Sequence, residues 1–206
     1  MGARSRRVRY PTEAVATAVR PFDMILPTPL VPRRPVPALD LPLVGGGRFV
    51  LGEAPGDAFD LLVFYRGLHC PVCAKYLLEL ERLEPEYASR GVRVLALSSD
   101  EEERAARMVE KVRAERVRFA YGLTLTEARR WGLYVSRGRG VTSIGIEEPV
   151  RFSEPGVFLV RPDGTLYYGA VQTMPFARPR FDDLLTAVDF ALQKDYPARG
   201  EDVEAA

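Results

Sequence analysis

The segment LLVFYRGLHCPVCAK, residues 61–75, contains the most informative pattern in this chain of 206 residues. Its first five residues are a short, continuous apolar run, which is typical of a buried β-strand. Pro71 suits the first position of a helix, because the N–H that proline lacks has no intrahelical partner there. The segment therefore predicts a buried strand, a short loop, and a helix that begins around Cys70 and Pro71.

This placement brings two thiols to the start of a helix. Cys70 falls at or just before the N-cap and Cys73 falls within the first turn, where unpaired N–H groups and the helix dipole favour a thiolate. The spacing also brings the two sulfurs within bonding reach. One thiolate can attack a disulfide or a peroxide, and the other can then close an internal disulfide. Arg66, His69 and Lys75 would favour the thiolate further if they point inward.

Three alternatives to a redox dithiol remain open. The two cysteines could be inert core residues, or they could share a metal or an iron–sulfur cluster across a dimer. A zinc site within one chain needs four ligands, whereas this chain has two cysteines and one histidine. His69 has no evident serine or aspartate partner for base catalysis, and an exposed loop residue without a role is an equal interpretation. We therefore predict no metal and no cofactor.

The rest of the chain alternates between strand and helix patterns. Apolar runs predict strands at residues 48–51, 92–97, 117–121, 157–160 and 166–168, and periodic patterns predict helices at 71–89, 101–115, 124–131 and 181–194. Four local signals accompany them: Pro85 should kink or divide the first helix, Ser98-Ser99-Asp100 should cap the second, 136–154 should be a long loop or an excursion, and Pro162-Asp163-Gly164 should form a hairpin turn. Parallel crossovers followed by a hairpin predict an α/β fold with a central mixed sheet and helices on both faces.

The two ends of the chain differ from this domain in composition. Residues 21–42 contain seven prolines, which predicts an extended segment that wraps the surface of its own domain or links to it. We divide the chain into an Arg/Pro-rich N-terminal extension at 1–35, a domain at 36–194, and an acidic, frayed C-terminal tail at 195–206.

Composition and charge exclude several classes of protein. The net charge of +1 gives no global basic field for nucleic acid or an anionic membrane, and we interpret the seven arginines among residues 1–34 as a solvated arm. Two cysteines are too few for a secreted disulfide scaffold. The sequence has no long apolar run that could cross a membrane. These features predict a cytoplasmic protein that binds neither nucleic acid nor a membrane.

Three segments together resemble a known family. Residues 62–73, 92–98 and 158–164 are similar to the thioredoxin-fold redoxins, and most similar to their peroxiredoxin-like branch, the alkyl hydroperoxide reductase/thiol-specific antioxidant family. The resemblance covers roughly residues 36–194. It implies a thioredoxin-like fold and a thiol-dependent oxidoreductase that reduces a disulfide or a peroxide. It also implies an external thiol reductant and makes a homodimer plausible.

The peroxiredoxin register of this resemblance makes Cys73 the peroxidatic cysteine. Cys70 then stands where the family has a threonine, and Arg66 stands where it has a proline. The family's arginine ahead of the last hairpin corresponds to Pro155, while Arg151 is close but out of register.

The thioredoxin register instead makes Cys70 the attacking cysteine and Cys73 the resolving one. Pro155 then matches the cis proline that faces the dithiol in that family, although His69 and Phe64 replace its tryptophan and its buried acid. In this register Pro71 and Pro155 support the dithiol, and we expect Cys70 to be open to solvent and faster toward disulfides. A non-catalytic redoxin-fold binding module, with residues 1–42 docking a partner, is the alternative from a different class.

Overall fold

A computed structural model describes residues 27–204 and contains nine strands and four helices within that range. The elements in chain order are β1 (Asp40–Pro42), β2 (Arg48–Val50), β3 (Phe59–Phe64), α1 (Pro71–Ala88), β4 (Val92–Leu97), α2 (Glu102–Val112), β5 (Arg118–Ala120), α3 (Leu125–Arg130), β6 (Val135–Arg137), β7 (Arg151–Ser153), β8 (Gly156–Val160), β9 (Leu166–Val171) and α4 (Phe181–Lys194). The predicted bounds of β4 and α4 are reproduced to the residue.

The central sheet has five strands in the order β5-β4-β3-β8-β9. Strands β3, β4 and β5 are parallel, whereas β8 runs antiparallel to both β3 and β9. The predicted mixed sheet is therefore confirmed. Every residue of β3 is buried, including Asp60, and its apolar run at 61–64 suits a strand covered on both faces.

Helices cover both faces of the sheet, as predicted. Leu61 and Val63 of β3 pack with residues of α1, α2 and α4 in one apolar core. Leu62 and Phe64 point to the opposite face, where they pack with Trp131 after α3 and with residues of the β1–β2 hairpin. Because side chains alternate along a strand, β3 anchors both cores at once.

Helix α1 is one continuous helix of 18 residues, so Pro85 does not divide it, and the expected kink stays a prediction. Pro85 lies in the last turns of the helix, where only the bond to the carbonyl of Glu81 is forfeited. The Glu81 carboxylate itself accepts hydrogen bonds from the backbone N–H groups of Glu115 at 3.0 Å, Arg116 at 3.1 Å and Val117 at 2.9 Å. Glu81 thereby ties α1 to the connection between α2 and β5.

The predicted cap of α2 is wrong. Glu101 is the N-cap, without a side-chain hydrogen bond, and the Asp100 carboxylate instead accepts from the N–H of Leu68 at 2.7 Å and from the Nε of Arg104 in α2 at 3.1 Å. The segment 136–154 is an excursion from the sheet, as one of the two expectations had it, and β6 and β7 pair antiparallel at its two ends. Strands of three residues are too short to give a recognisable period in the sequence.

The segments that flank the domain pack against it. The N–H of Arg33 donates to the carbonyl of Leu166 at 2.8 Å, and Pro35 forms a β-bridge with Thr165, so the proline-rich segment from residue 27 onward wraps its own domain. The part of that segment before residue 27 lies outside the described residues. After α4, Ala198 is buried and Glu201 pairs with Arg33 at 3.0 Å, so the tail is not frayed up to this point. Among residues 27–204, no helix is long and apolar enough to span a bilayer.

Candidate active site

Cys70 is the N-cap residue of α1, and Pro71 occupies the first helical position, as the sequence predicts. The Sγ of Cys70 accepts a hydrogen bond from the backbone N–H of Cys73 at 3.2 Å. The preceding loop is held by Asp100 through the N–H of Leu68. Gly67 makes this possible, since its φ is +136° and an added Cβ would lie 2.8 Å from the Asp100 carboxylate oxygens.

Both cysteines are free thiols and both are buried. The side chain of Cys70 is only 2% exposed and Cys73 is fully enclosed, so the expectation of an open Cys70 is wrong. The physical reason is that the loop before α1 is folded under the segment between β6 and β7, where its Arg66 and His69 approach Glu148. Access to either sulfur is therefore restricted to small molecules in this conformation.

The two thiols have opposite acid–base properties. The side chain of Cys73 donates a hydrogen bond to Cys70 and, together with the Cys73 N–H and the cations of Arg178 and Arg66, lowers the pKa of Cys70 to about 6 against the effect of burial. Burial, followed by this donation to Cys70, raises the pKa of Cys73 well above its ordinary value. At neutral pH the pair is therefore a Cys70 thiolate beside a Cys73 thiol.

Arg66 points inward, toward Cys70, which is the orientation in which we expected it to favour the thiolate. Its Nη1 lies 4.0 Å from the Sγ of Cys70, and its guanidinium lies 4.6 Å from the centre of the Phe152 ring. The same guanidinium pairs with Glu154 at 3.2 Å and with Glu148 at 3.5 Å. Both carboxylates come from the β6–β7 region and were not singled out from the sequence, because nothing local links them to Arg66.

His69 is fully buried, so its interpretation as an exposed loop residue is wrong. Its ring centre lies 4.6 Å from that of Phe152, and its Nε2 lies 4.0 Å from Glu148. Burial, with Arg66 adding to it, lowers the pKa of His69 to about 4, so the ring is neutral and adds no positive charge beside Cys70. Lys75, the third residue expected to favour the thiolate if it pointed inward, is exposed.

Pro155 lies between β7 and β8, where it is buried and its carbonyl accepts from the N–H of Gln172 at 3.0 Å. Within the described part of the chain no peptide bond is cis, so the bond before Pro155 is trans. Pro155 therefore lacks the cis peptide bond of the thioredoxin proline with which the thioredoxin register matches it. Arg151 is exposed on β7.

Arg178 is a site residue that the sequence analysis missed. Its Nη2 lies 3.1 Å from the Sγ of Cys73, and its guanidinium lies 5.0 Å from the centre of the Tyr76 ring. It comes from the connection between β9 and α4, 105 residues beyond Cys73. The only sequence signal was the cluster Arg178-Pro179-Arg180 directly before the last helix.

Comparison with known proteins places the chain in a family. Residues 32–169, more than half of the chain, match the AhpC/TSA family. The chain belongs to the AhpC/TSA family. This confirms the resemblance drawn from the sequence. Arg178 lies beyond the matched residues.

Individual relatives agree with this assignment. Mouse peroxiredoxin-6 is 27% identical over 151 residues, which are 69% of this chain and 65% of that protein, so the chain spans slightly less than two thirds of its length. The crystal structure of the peroxidoxin BcpB from Mycobacterium tuberculosis matches with a TM-score of 0.61 and 20% identity over 78% of this chain and 97% of that one. The reduced 2-Cys peroxiredoxin of Plasmodium vivax matches with a TM-score of 0.64 and 16% identity over 86% and 92% of the two chains. These structures share the thioredoxin-like fold.

Proposed function

We propose that the protein is a thiol-dependent peroxide reductase that cycles Cys70 and Cys73 between a dithiol and an internal disulfide. The observation that carries the proposal is the hydrogen bond at the helix start, where the backbone N–H of Cys73 donates to the Cys70 sulfur at 3.2 Å, and the neighbouring Cys73 side chain lowers the pKa of Cys70 further. This arrangement stabilises a thiolate on Cys70 and keeps the proton on Cys73. Membership of the AhpC/TSA family, with relatives named peroxiredoxin and peroxidoxin, supports the same class of reaction.

The reaction would proceed in three balanced steps. The Cys70 thiolate attacks one oxygen of the peroxide, the O–O bond breaks, and the alcohol or water leaves with a proton while Cys70 becomes a sulfenic acid. The Cys73 thiol then attacks that sulfur, which releases water and forms the Cys70–Cys73 disulfide. Two equivalents of an external thiol restore the dithiol and leave as a disulfide.

Burial favours a peroxide over a protein disulfide as the oxidant. With Cys70 only 2% exposed, a protein disulfide would reach its sulfur only after the β6–β7 segment had moved, whereas a peroxide needs much less space. Reduction of disulfides is the second candidate, because an attacking cysteine at the N-cap with a resolving cysteine three residues later also fits the thioredoxin register.

The remaining expectations from the sequence become part of the proposal. We assign Cys70 and Cys73 as catalytic and Arg66, His69, Pro71 and Pro155 as supporting residues within the domain at 36–194. A reducing compartment such as the cytoplasm suits two free thiols. A homodimer stays a prediction, and so does the alternative of a metal or an iron–sulfur cluster shared across a dimer. Within residues 27–204, no group of three or more His, Cys, Asp or Glu side chains is placed to hold a metal ion.

The test uses the reduced wild type and the variants Cys70→Ser and Cys73→Ser. The wild type should consume hydrogen peroxide in stopped flow and lose both thiols, and dithiothreitol should restore them. Cys73→Ser should complete one turnover and accumulate a sulfenic acid on Cys70, detected by mass spectrometry of its dimedone adduct. Cys70→Ser should be nearly inert.

Three outcomes would contradict the proposal. If Cys70→Ser still reduces peroxide and carries the sulfenic acid on Cys73, the peroxiredoxin register is right and the roles are reversed. If the wild type reduces insulin disulfides readily but ignores peroxide, the second candidate replaces the first. Thiols that are inert toward both oxidants would instead favour the binding module.

A further inference from the structure

A groove of about 370 Å³ lies between α1 and the connection from β9 to α4, and we call it the Arg178 groove. Its walls include the apolar rings of Tyr76 and Phe176 and the cations of Lys75, Arg178 and Arg180, with Glu79 as the single acid. The size is within the range of small-ligand sites. Its charged residues sum to an excess of two positive charges, which favours an anionic occupant.

Arg178 connects this groove to the dithiol. Its Nη2 approaches Cys73, while its Nε and Nη1 are buried and have no hydrogen-bond partner among the described residues. Nor does Arg178 pair with any carboxylate in that part of the chain, unlike Arg180, which lies 3.7 Å from Asp182. Buried donors without acceptors are costly, and a carboxylate oxygen is a strong acceptor for a guanidinium N–H.

We propose that the Arg178 groove binds the reductant, a small thiol that carries a carboxylate, and directs its sulfur to Cys73 of the oxidised protein. The proposal rests on the proposed disulfide cycle and names the class of thiol that closes it. The carboxylate would accept a hydrogen bond from Nε or Nη1 of Arg178, and the aliphatic part would lie against Tyr76 and Phe176.

The direction of attack follows from the leaving group. A thiolate that attacks Cys73 forms a mixed disulfide there and breaks the internal S–S bond, which releases Cys70 as a thiolate. Exchange is faster when the departing thiol has the lower pKa, and Cys70 is the better leaving group because the backbone N–H of Cys73 and the cations of Arg178 and Arg66 still lower its pKa once Cys73 is in the mixed disulfide. A second thiol then attacks the mixed disulfide, Cys73 takes up a proton, and the small disulfide leaves.

The test compares two small thiols on the disulfide form of the full-length protein. The disulfide is prepared with diamide, so that its formation does not depend on the peroxide reaction. Mercaptosuccinate is the anionic probe and 2-mercaptoethanol the neutral one, and acid-quenched samples give the two rate constants of reduction. The ratio of these rate constants cancels differences in the intrinsic reactivity of the disulfide between variants.

Four proteins are compared: the wild type, the double variant Lys75→Gln/Arg180→Gln, Glu79→Gln, and Arg107→Gln, which removes an exposed charge on α2 outside the groove. The ratio of anionic to neutral rates should fall about tenfold in the double variant, at roughly threefold per exposed charge, and should rise about threefold in Glu79→Gln. Arg107→Gln should leave it unchanged. Added salt should lower the wild-type ratio.

An equal ratio in the wild type, the double variant and Glu79→Gln would overturn the groove proposal alone. A loss in Arg107→Gln as large as in the double variant would also overturn it, because only the overall charge would then matter. Failure of the proposed function is a separate result, since it would appear as a wild type that never forms the disulfide with peroxide but still does so with diamide.

Discussion

The interaction with the Cys73 side chain is the largest effect that lowers the pKa of Cys70, and it can be removed without removing the backbone N–H. Cys73→Ala abolishes this donor, whereas Cys73→Ser keeps a hydroxyl donor at the same position. A hydrogen bond to a charged group contributes about 1.5–3 kcal/mol, which corresponds to about 1–2 pKa units. We therefore expect the pKa of Cys70 to rise to about 7–8 in Cys73→Ala and to stay near the wild-type value of about 6 in Cys73→Ser.

The assay is the rate of alkylation by iodoacetamide between about pH 5 and about pH 9, with thiolate absorbance as a second readout. Each variant has a single thiol, so the titration belongs to Cys70 alone. Cys70→Ser is the control, and its remaining Cys73 should titrate at much higher pH. Coincident curves for the alanine and serine variants would refute the reasoning. The low pKa would then arise from the backbone N–H of Cys73 and the two arginines.

Three further predictions concern stability. The pKa of His69 is about 4 in the folded protein, against an ordinary value of 6.5. The free energy of unfolding should therefore fall as the pH drops from about 6.5 to about 4, by at most about 3 kcal/mol. In urea unfolding, His69→Phe should lose less stability over the same pH range. Gly67→Ala should destabilise the protein by about 2 kcal/mol and slow the alkylation of Cys70. The reason is that the new Cβ would clash with the Asp100 carboxylate and that the backbone φ is positive at this position. An unchanged melting temperature would contradict this prediction. Glu81→Ala should cost about 3 kcal/mol in urea unfolding, because it leaves the backbone N–H groups of Glu115, Arg116 and the buried Val117 without their acceptor, whereas half-buried Glu84→Ala should cost less.

The parts of the fold that could be predicted depend on local signals. Continuous apolar runs identify β3 and β4, helical periodicity identifies α4, and Thr124 with Glu127 forms the predicted capping box at the start of α3. The position of Cys70 at the N-cap followed in the same way from Pro71. Each of these features is settled within a few neighbouring residues, so one sequence is enough to find it.

The parts that could not be predicted depend on contacts between distant segments. Arg178 reaches Cys73 only because the connection before α4 packs on α1, where the hydroxyl of Tyr76 donates to the carbonyl of Pro179. The burial of Cys70 likewise depends on the β6–β7 segment, whose strands are too short to carry a period. Exposure and charge partners are thus properties of the assembled fold, whereas the dithiol motif is a property of the sequence.

The two arginines at the dithiol differ in how much of their charge reaches the sulfurs. Arg66 approaches Cys70 but is paired with Glu148 and Glu154, and it has the smallest of the effects that lower the pKa of Cys70. Arg178 approaches Cys73 and has no carboxylate partner within residues 27–204. The Cys70 thiolate is therefore stabilised mainly by the donors of Cys73, and Arg66 is better suited to holding the loop before α1 against the β6–β7 segment. The unpaired charge lies on the other side of the dithiol, beside the cysteine from which the disulfide would be reduced.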